Sequence, residues 1–183
     1  MSYNQPLAST TEYGAVKVGG GLSVTDGVIS AGAGLLNYGF FENGTQTNPV
    51  ASAINLASFS VTGPANGISI VGNTQLTVVN AGTYNTVFTM NVNKTSGGAS
   101  TISIWLRLNG ADIAGSAQDL ILTGALDTIF VTGNYTLDIL AGGNIEICWS
   151  SADITMQLLA LPARVGPVRP SGASVKVTLT RIS

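Results

Sequence analysis

The sequence predicts an all-β sandwich or barrel, on three observations. Apolar and polar residues alternate with period two in several stretches, the mark of half-buried strands. The clearest are Tyr84-to-Val92, Ile102-to-Leu108, Tyr135-to-Leu140 and Ile145-to-Trp149. Clusters of Gly, Asn, Pro and Ser separate these stretches at short, regular intervals, as in all-β domains. No stretch carries a convincing helical period: the nearest, Leu158-Leu159-Ala160-Leu161, runs straight into Pro162, which cannot continue a helix.

In chain order, residues 1–34 form a leader distinct from the rest. It places Tyr13, Val16 and Val18 before a Gly19-Gly20-Gly21 run, then Leu22 and Val24, then Val28 and Ile29 after Thr25-Asp26-Gly27. Two or three very short strands joined by glycine turns fit this pattern. So small a unit cannot bury its own apolar side chains. These seven residues are therefore expected to form an arm that docks on a partner chain, on copies of itself or on a larger surface. Ala31-Gly32-Ala33-Gly34 reads as a flexible link.

Residues 35–183 form the head. Strands are expected at 53–61, 68–71, 75–79, 83–92, 101–108, 120–122, 127–140 with a break at Gly133, 144–150, 155–161 and 174–181. Turns are expected at 63–67, 71–73, 80–82, 94–98, 109–110 and 164–167. Asn109-Gly110 is the best hairpin signal, since both residues tolerate positive φ. Alternation assigns Tyr84, Phe88, Met90, Val92, Ile102, Ile104, Leu106, Leu108, Leu137, Ile139, Ile145, Ile147, Trp149, Val175, Val177 and Leu179 to the core. It leaves Trp105 and Arg107 on the opposite side of their strand. A large aromatic beside an arginine outside the core is typical of an interface, so the pair is read as a subunit contact. The plainer reading is a Trp covered by its own chain.

Composition narrows function. Hydrophobic residues are 45% of the chain and charged ones only 9%, against roughly 25% charged in an average soluble protein. Such a surface is poorly protected against association, so oligomerisation is expected to seal much of it. Seven scattered basic residues and a net charge of −2 provide no phosphate-binding stripe, which argues against nucleic acid. The chain has no His, which removes the commonest general base and metal ligand. Its single Cys, Cys148, excludes an internal disulfide and a multi-Cys zinc site, and it is read as an inert core thiol. No apolar run approaches the ~18 residues of a membrane helix. The first residues lack a secretory pattern, so synthesis and assembly in a cytoplasm are expected.

The acids offer little chemistry. Asp138 and Glu146, on strands expected to be adjacent, could form the carboxylate pair a glycosidase needs, though Glu146 falls on the non-core face as a paired or solvated acid. Asp112 with Asp119 is a weak cation signal. Gly19-Gly20-Gly21 lacks the following Lys-Ser/Thr and helix of a phosphate loop. No catalytic residue, metal or cofactor is assigned.

The order of features in the head resembles the tumour necrosis factor and complement-head jelly roll. The resemblance rests on Gly82-x-Tyr84 entering a strand, Leu106-Arg107-Leu108-Asn109-Gly110, Leu137-x-x-Leu140-Ala141-Gly142-x-Asn144-Ile145, and the closing strand from Ser174. It covers roughly residues 36–183 and implies a jelly-roll β-sandwich, an obligate homotrimer, and a function in display and binding. The acidic residue usual after the Ala-Gly turn is replaced by Gly143-Asn144. The leader, Tyr13-Gly-x-Val-Lys-Val-Gly-x-Gly-Leu-x-Val-x-x-Gly-Val-Ile-Ser30, is similar to segments of bacteriophage fibre, head-fibre and other virion surface proteins, notably of cyanophages. Together the two resemblances imply a homotrimeric capsid decoration (cement) protein on a virion, with the major capsid protein or another virion protein as partner. The alternative they leave is a fibre-tip knob that binds a host receptor or surface glycan, with Trp105, Tyr135, Asn109 and Asp112 as contacts.

Overall fold

The computed structural model describes residues 22–25 and 28–31 of the leader and residues 36–183. It divides into two units, Met1–Leu35 and Leu36–Ser183. In the first, β1 (Leu22–Thr25) and β2 (Val28–Ala31) pair antiparallel, from Leu22 opposite Ala31 to Thr25 opposite Val28. Leu22, Val24, Val28 and Ile29 of the expected arm lie on these strands; Tyr13, Val16 and Val18 lie outside the described residues.

The second unit has no helix. Its strands begin with β3 (Tyr38–Asn43), β4 (Gln46–Thr47), β5 (Asn55–Leu56), β6 (Val61–Asn66), β7 (Ile68–Val71), β8 (Gln75–Val78), β9 (Gly82–Lys94) and β10 (Ser100–Leu108). They continue with β11 (Ala111–Asp112), β12 (Gln118–Leu122), β13 (Thr128–Ile139), β14 (Asn144–Ser151), β15 (Met156–Leu158), β16 (Arg164–Val165), β17 (Val168–Arg169) and β18 (Val175–Arg181). One sheet runs β13-β9-β18-β3-β6, with β15 beyond β18 along β9 and β4 beside β15. The other runs β12-β10-β14-β8-β7, with β11 beyond β12 and β5 beyond β8. All pairings are antiparallel, and the chain crosses between sheets at β4 to β5, β5 to β6, β6 to β7, β8 to β9, β9 to β10, β12 to β13, β13 to β14 and β14 to β15. Two antiparallel sheets interleaved in this way form a jelly roll.

The two inner faces meet in one core. Tyr84, Phe88, Met90 and Val92 of β9 are buried against Ile102, Ile104 and Leu106 of β10, Ile145, Ile147 and Trp149 of β14, and Val175, Val177 and Leu179 of β18. Each such aliphatic or aromatic side chain contributes roughly 1.5–3 kcal/mol by leaving water. Leu108 and Leu137 are half-buried at its margin.

Five expectations need correction. Of residues 155–161, only Met156–Leu158 forms a strand. Of residues 53–61, only Asn55–Leu56 pairs as a strand before β6 begins. The turn expected at 63–67 is largely strand, because β6 is an edge strand paired only with β3 and tolerates Pro64 there. Strand β3 was not expected at all: Gly39 weakens its pattern, yet a side chain there would meet the Phe41 ring at 2.5 Å. Finally, β13 does not break at Gly133. A Cβ at that position would lie 2.2 Å from Phe88 Cε1, so the glycine makes room for the stacked rings of Phe88 and Tyr135, 6.2 Å apart and 5° from parallel.

Candidate functional site

Trp105 and Arg107 project from the outer face of β10. Asn109 and Gly110, at φ 52° and 79°, fold the chain back so that Asp112 of β11 sits opposite Arg107. One carboxylate oxygen, Asp112 Oδ1, accepts from Trp105 Nε1 at 2.7 Å and from Arg107 Nε at 2.6 Å. The Arg107 hydrogen bond, then that of Trp105, holds the Asp112 carboxyl below its ordinary range, and the same contact raises Arg107. Both side chains are half-buried by their own chain; the indole N–H is engaged, and Nε of the guanidinium is engaged with it.

Beside this cluster, Glu146 stands opposite Arg107 across the β10–β14 ladder. It lies on the non-core face, as expected, but it is 5% exposed rather than solvated. Asp138 is on β13 in the other sheet, where it accepts from Thr83 Oγ1 at 2.7 Å. The expected adjacency of these two acids therefore fails, and the jelly-roll crossover between β13 and β14 is the reason. Asp119 accepts from Ser103 Oγ at 2.6 Å and does not join Asp112. Among the described residues no three potential ligands cluster around a metal site. Cys148 is buried, and burial pushes its thiol up to about 12, which leaves it un-ionised near neutral pH.

Tyr135 is not an open contact platform. It faces inward on Phe88, its hydroxyl donates to Ser116 O and accepts from Gln118 Nε2, each at 3.0 Å. Asn109 is exposed, but its Oδ1 accepts from Asn144 N at 2.9 Å.

Three features escaped the sequence reading. The first is an ion pair buried at its lysine end: Lys94, 1% exposed, reaches the half-buried Asp153, and Ser100 Oγ donates to the same carboxylate at 2.6 Å. The period-two alternation of β9 continues through position 94 and already pointed this lysine inward. The second is an open depression of about 690 Å³ beside that pair, lined mainly by Ser100, Thr101, Ser103, Ser150, Ser151 and Asp153. The third is the outer face of β9 and β13. Asn85, Val87, Thr89, Asn91 and Asn93 lie beside Thr136, Asn134, Thr132, Phe130 and Thr128 in direct register. This strip carries no charge, Phe130 on it is 65% exposed, and β13 has one edge unpaired among the described strands.

No protein-family model and no curated protein matches the chain. Among solved structures it is similar to the globular domain of zebrafish complement 1qA protein, at 14% identity over 81% of this chain and 98% of that one, with a TM-score of 0.49. It is also similar to the Eiger TNF of S. frugiperda, at 13% identity over 81% and 94%, with a TM-score of 0.47. The sheet order itself defines the class: an all-β jelly-roll sandwich.

Proposed function

We propose that this chain is a non-enzymatic structural protein of a bacteriophage particle, a homotrimeric decoration (cement) protein. In this reading the jelly roll assembles into the trimer and the arm, residues 1–34, docks on the major capsid protein or another virion protein. The observation that carries the oligomeric part is the β9–β13 face, with Asp138 at one end as its only charge, with its exposed Phe130 and with its open twelve-residue edge strand. An edge of that length invites pairing unless something covers it. Trp105 and Arg107 remain a second candidate contact, acting through the indole face and the guanidinium's Nη groups, since Asp112 already occupies Trp105 Nε1 and Arg107 Nε. Support for the non-enzymatic part is that Asp112, Asp119, Asp127, Asp138 and Asp153 are each hydrogen-bonded within their own chain, and that the chain has no His to serve as a general base.

The virion assignment rests on the leader's resemblance to phage surface segments. Three linked arms would multiply a weak attachment through effective concentration. The test is deletion of residues 1–34. The account expects a soluble head that stays trimeric and no longer binds particles; full particle binding after deletion overturns the docking role.

A second reading, a knob that binds a host receptor or glycan, is favoured by the hydroxyl-lined depression near Ser150. Its lining holds one carboxylate, already paired with Lys94, and thus suits a neutral, hydroxyl-rich ligand. A glycan array with no hits counts against it.

A further inference from the structure

The hairpin of β16 and β17 stands apart from the rest of the head. Its base is closed by paired hydrogen bonds between Leu161 and Gly172, each 2.8 Å. Beyond that base, Arg164 pairs in register with Arg169, and Val165 with Val168. Neighbouring positions along a strand point to opposite faces. One face therefore bears two guanidinium groups and the other two valines.

Each face is unfavourable for a free surface. Val165 is 93% exposed and Val168 85%, the highest of any large apolar side chain among the described residues. Like charges directly opposite each other on a ladder repel. Neither arginine meets a carboxylate among the described residues; the one polar contact given is Arg169 Nη1 to Pro170 O at 3.3 Å. A two-stranded hairpin is marginal in water without a surface to pack on.

We propose that this hairpin is an intersubunit clasp that docks on an exposed carboxylate of a second copy of this chain. The inference rests on the oligomeric reading above. Charge complementarity selects the occupant. The whole chain carries −2; the hairpin contributes two positive charges, so the remainder carries −4. Copies of that remainder repel one another, and the hairpin is where attraction is concentrated. Two alternative receptors are on offer, one on the outer face of each sheet: Asp119 of β12 and Asp138 of β13 are exposed, each accepts one hydroxyl hydrogen bond, and neither is in an ion pair among the described residues. The valine face, on the opposite side of the hairpin, supplies apolar contact with the other wall of the seat, so that the hairpin is held from both sides.

The experiment is sedimentation velocity of the full chain across a concentration series, at low and high salt. It compares wild type with Arg164→Glu/Arg169→Glu, Arg164→Lys/Arg169→Lys and Val165→Ser/Val168→Ser. The clasp predicts an association constant about tenfold or more lower for the Glu and Ser pairs, a milder loss for the Lys pair, and weakening of the wild-type assembly by salt. Because these side chains sit outside the core, thermal midpoints measured where every variant is monomeric should match. Charge reversal at Asp119 or Asp138 to Arg should restore assembly of the Glu pair. A wild type that is monomeric throughout overturns the oligomeric reading itself. A wild-type oligomer with variants that associate equally well overturns the clasp alone. So does loss of binding to an acidic polypeptide or an anionic vesicle with assembly unchanged, which would reassign the hairpin to that partner.

Discussion

Gly133 shows how one absent side chain can set a local arrangement. Its position lies under Phe88, and alanine there would force the ring pair apart. Overpacking of this kind costs roughly 1–3 kcal/mol, so Gly133→Ala should lower the denaturation midpoint in urea while the far-ultraviolet spectrum stays β-rich. Lys94 and Asp153 make the opposite case, a polar group the fold cannot lose. Asp153→Asn leaves the buried ammonium without its counter-charge, a loss worth roughly 3–5 kcal/mol when a buried pair is broken. Replacing both, as Lys94→Met/Asp153→Asn, should recover much of it. Lys94, then Ser100 and Thr155, hold the Asp153 carboxyl well below its ordinary range. A carboxyl depressed on folding adds stability above its unfolded pKa, roughly 3.9, and that contribution falls away as the pH drops below it. Urea titrations of wild type should therefore show stability declining on acidification below about pH 4, and Asp153→Asn should show a shallower decline. Cys148 should react with a thiol reagent at neutral pH only after denaturation, because burial keeps it protonated and covered.

Among the elements, legibility followed alternation. β9, β10, β14 and β18 announce themselves because their inward residues are large and their outward residues polar, and the core list drawn from them is the one that packs. The Asn109-Gly110 turn was legible for a related reason: only residues at ease with positive φ close so tight a hairpin. Gly110→Val should therefore cost about 1–2 kcal/mol, and it should also loosen Asp112 from Trp105, visible as a shift in Trp fluorescence. Elements with mixed signals were harder. β3 hides a glycine demanded by Phe41, and β6 hides a proline that only an edge strand accepts. The Trp105–Arg107–Asp112 cluster was half legible: the alternation placed the first two side chains, but nothing in the spacing said that Asp112 would return to take both donors. Residues 138 and 146 looked adjacent because a short turn joins their strands, whereas the crossover sends them to different sheets.

At the scale of the molecule, a head with few charges and a sparsely charged outer sheet face is expected to be completed by its own copies. In the proposed function the leader adds attachment to the head, and its removal should separate assembly from docking. The most direct test of the central claim is the mass of the purified protein in solution, by light scattering at micromolar concentration. The account predicts a species of three chain masses that persists on dilution through that range. A stable species of one chain mass, with no tendency to self-associate, would contradict it.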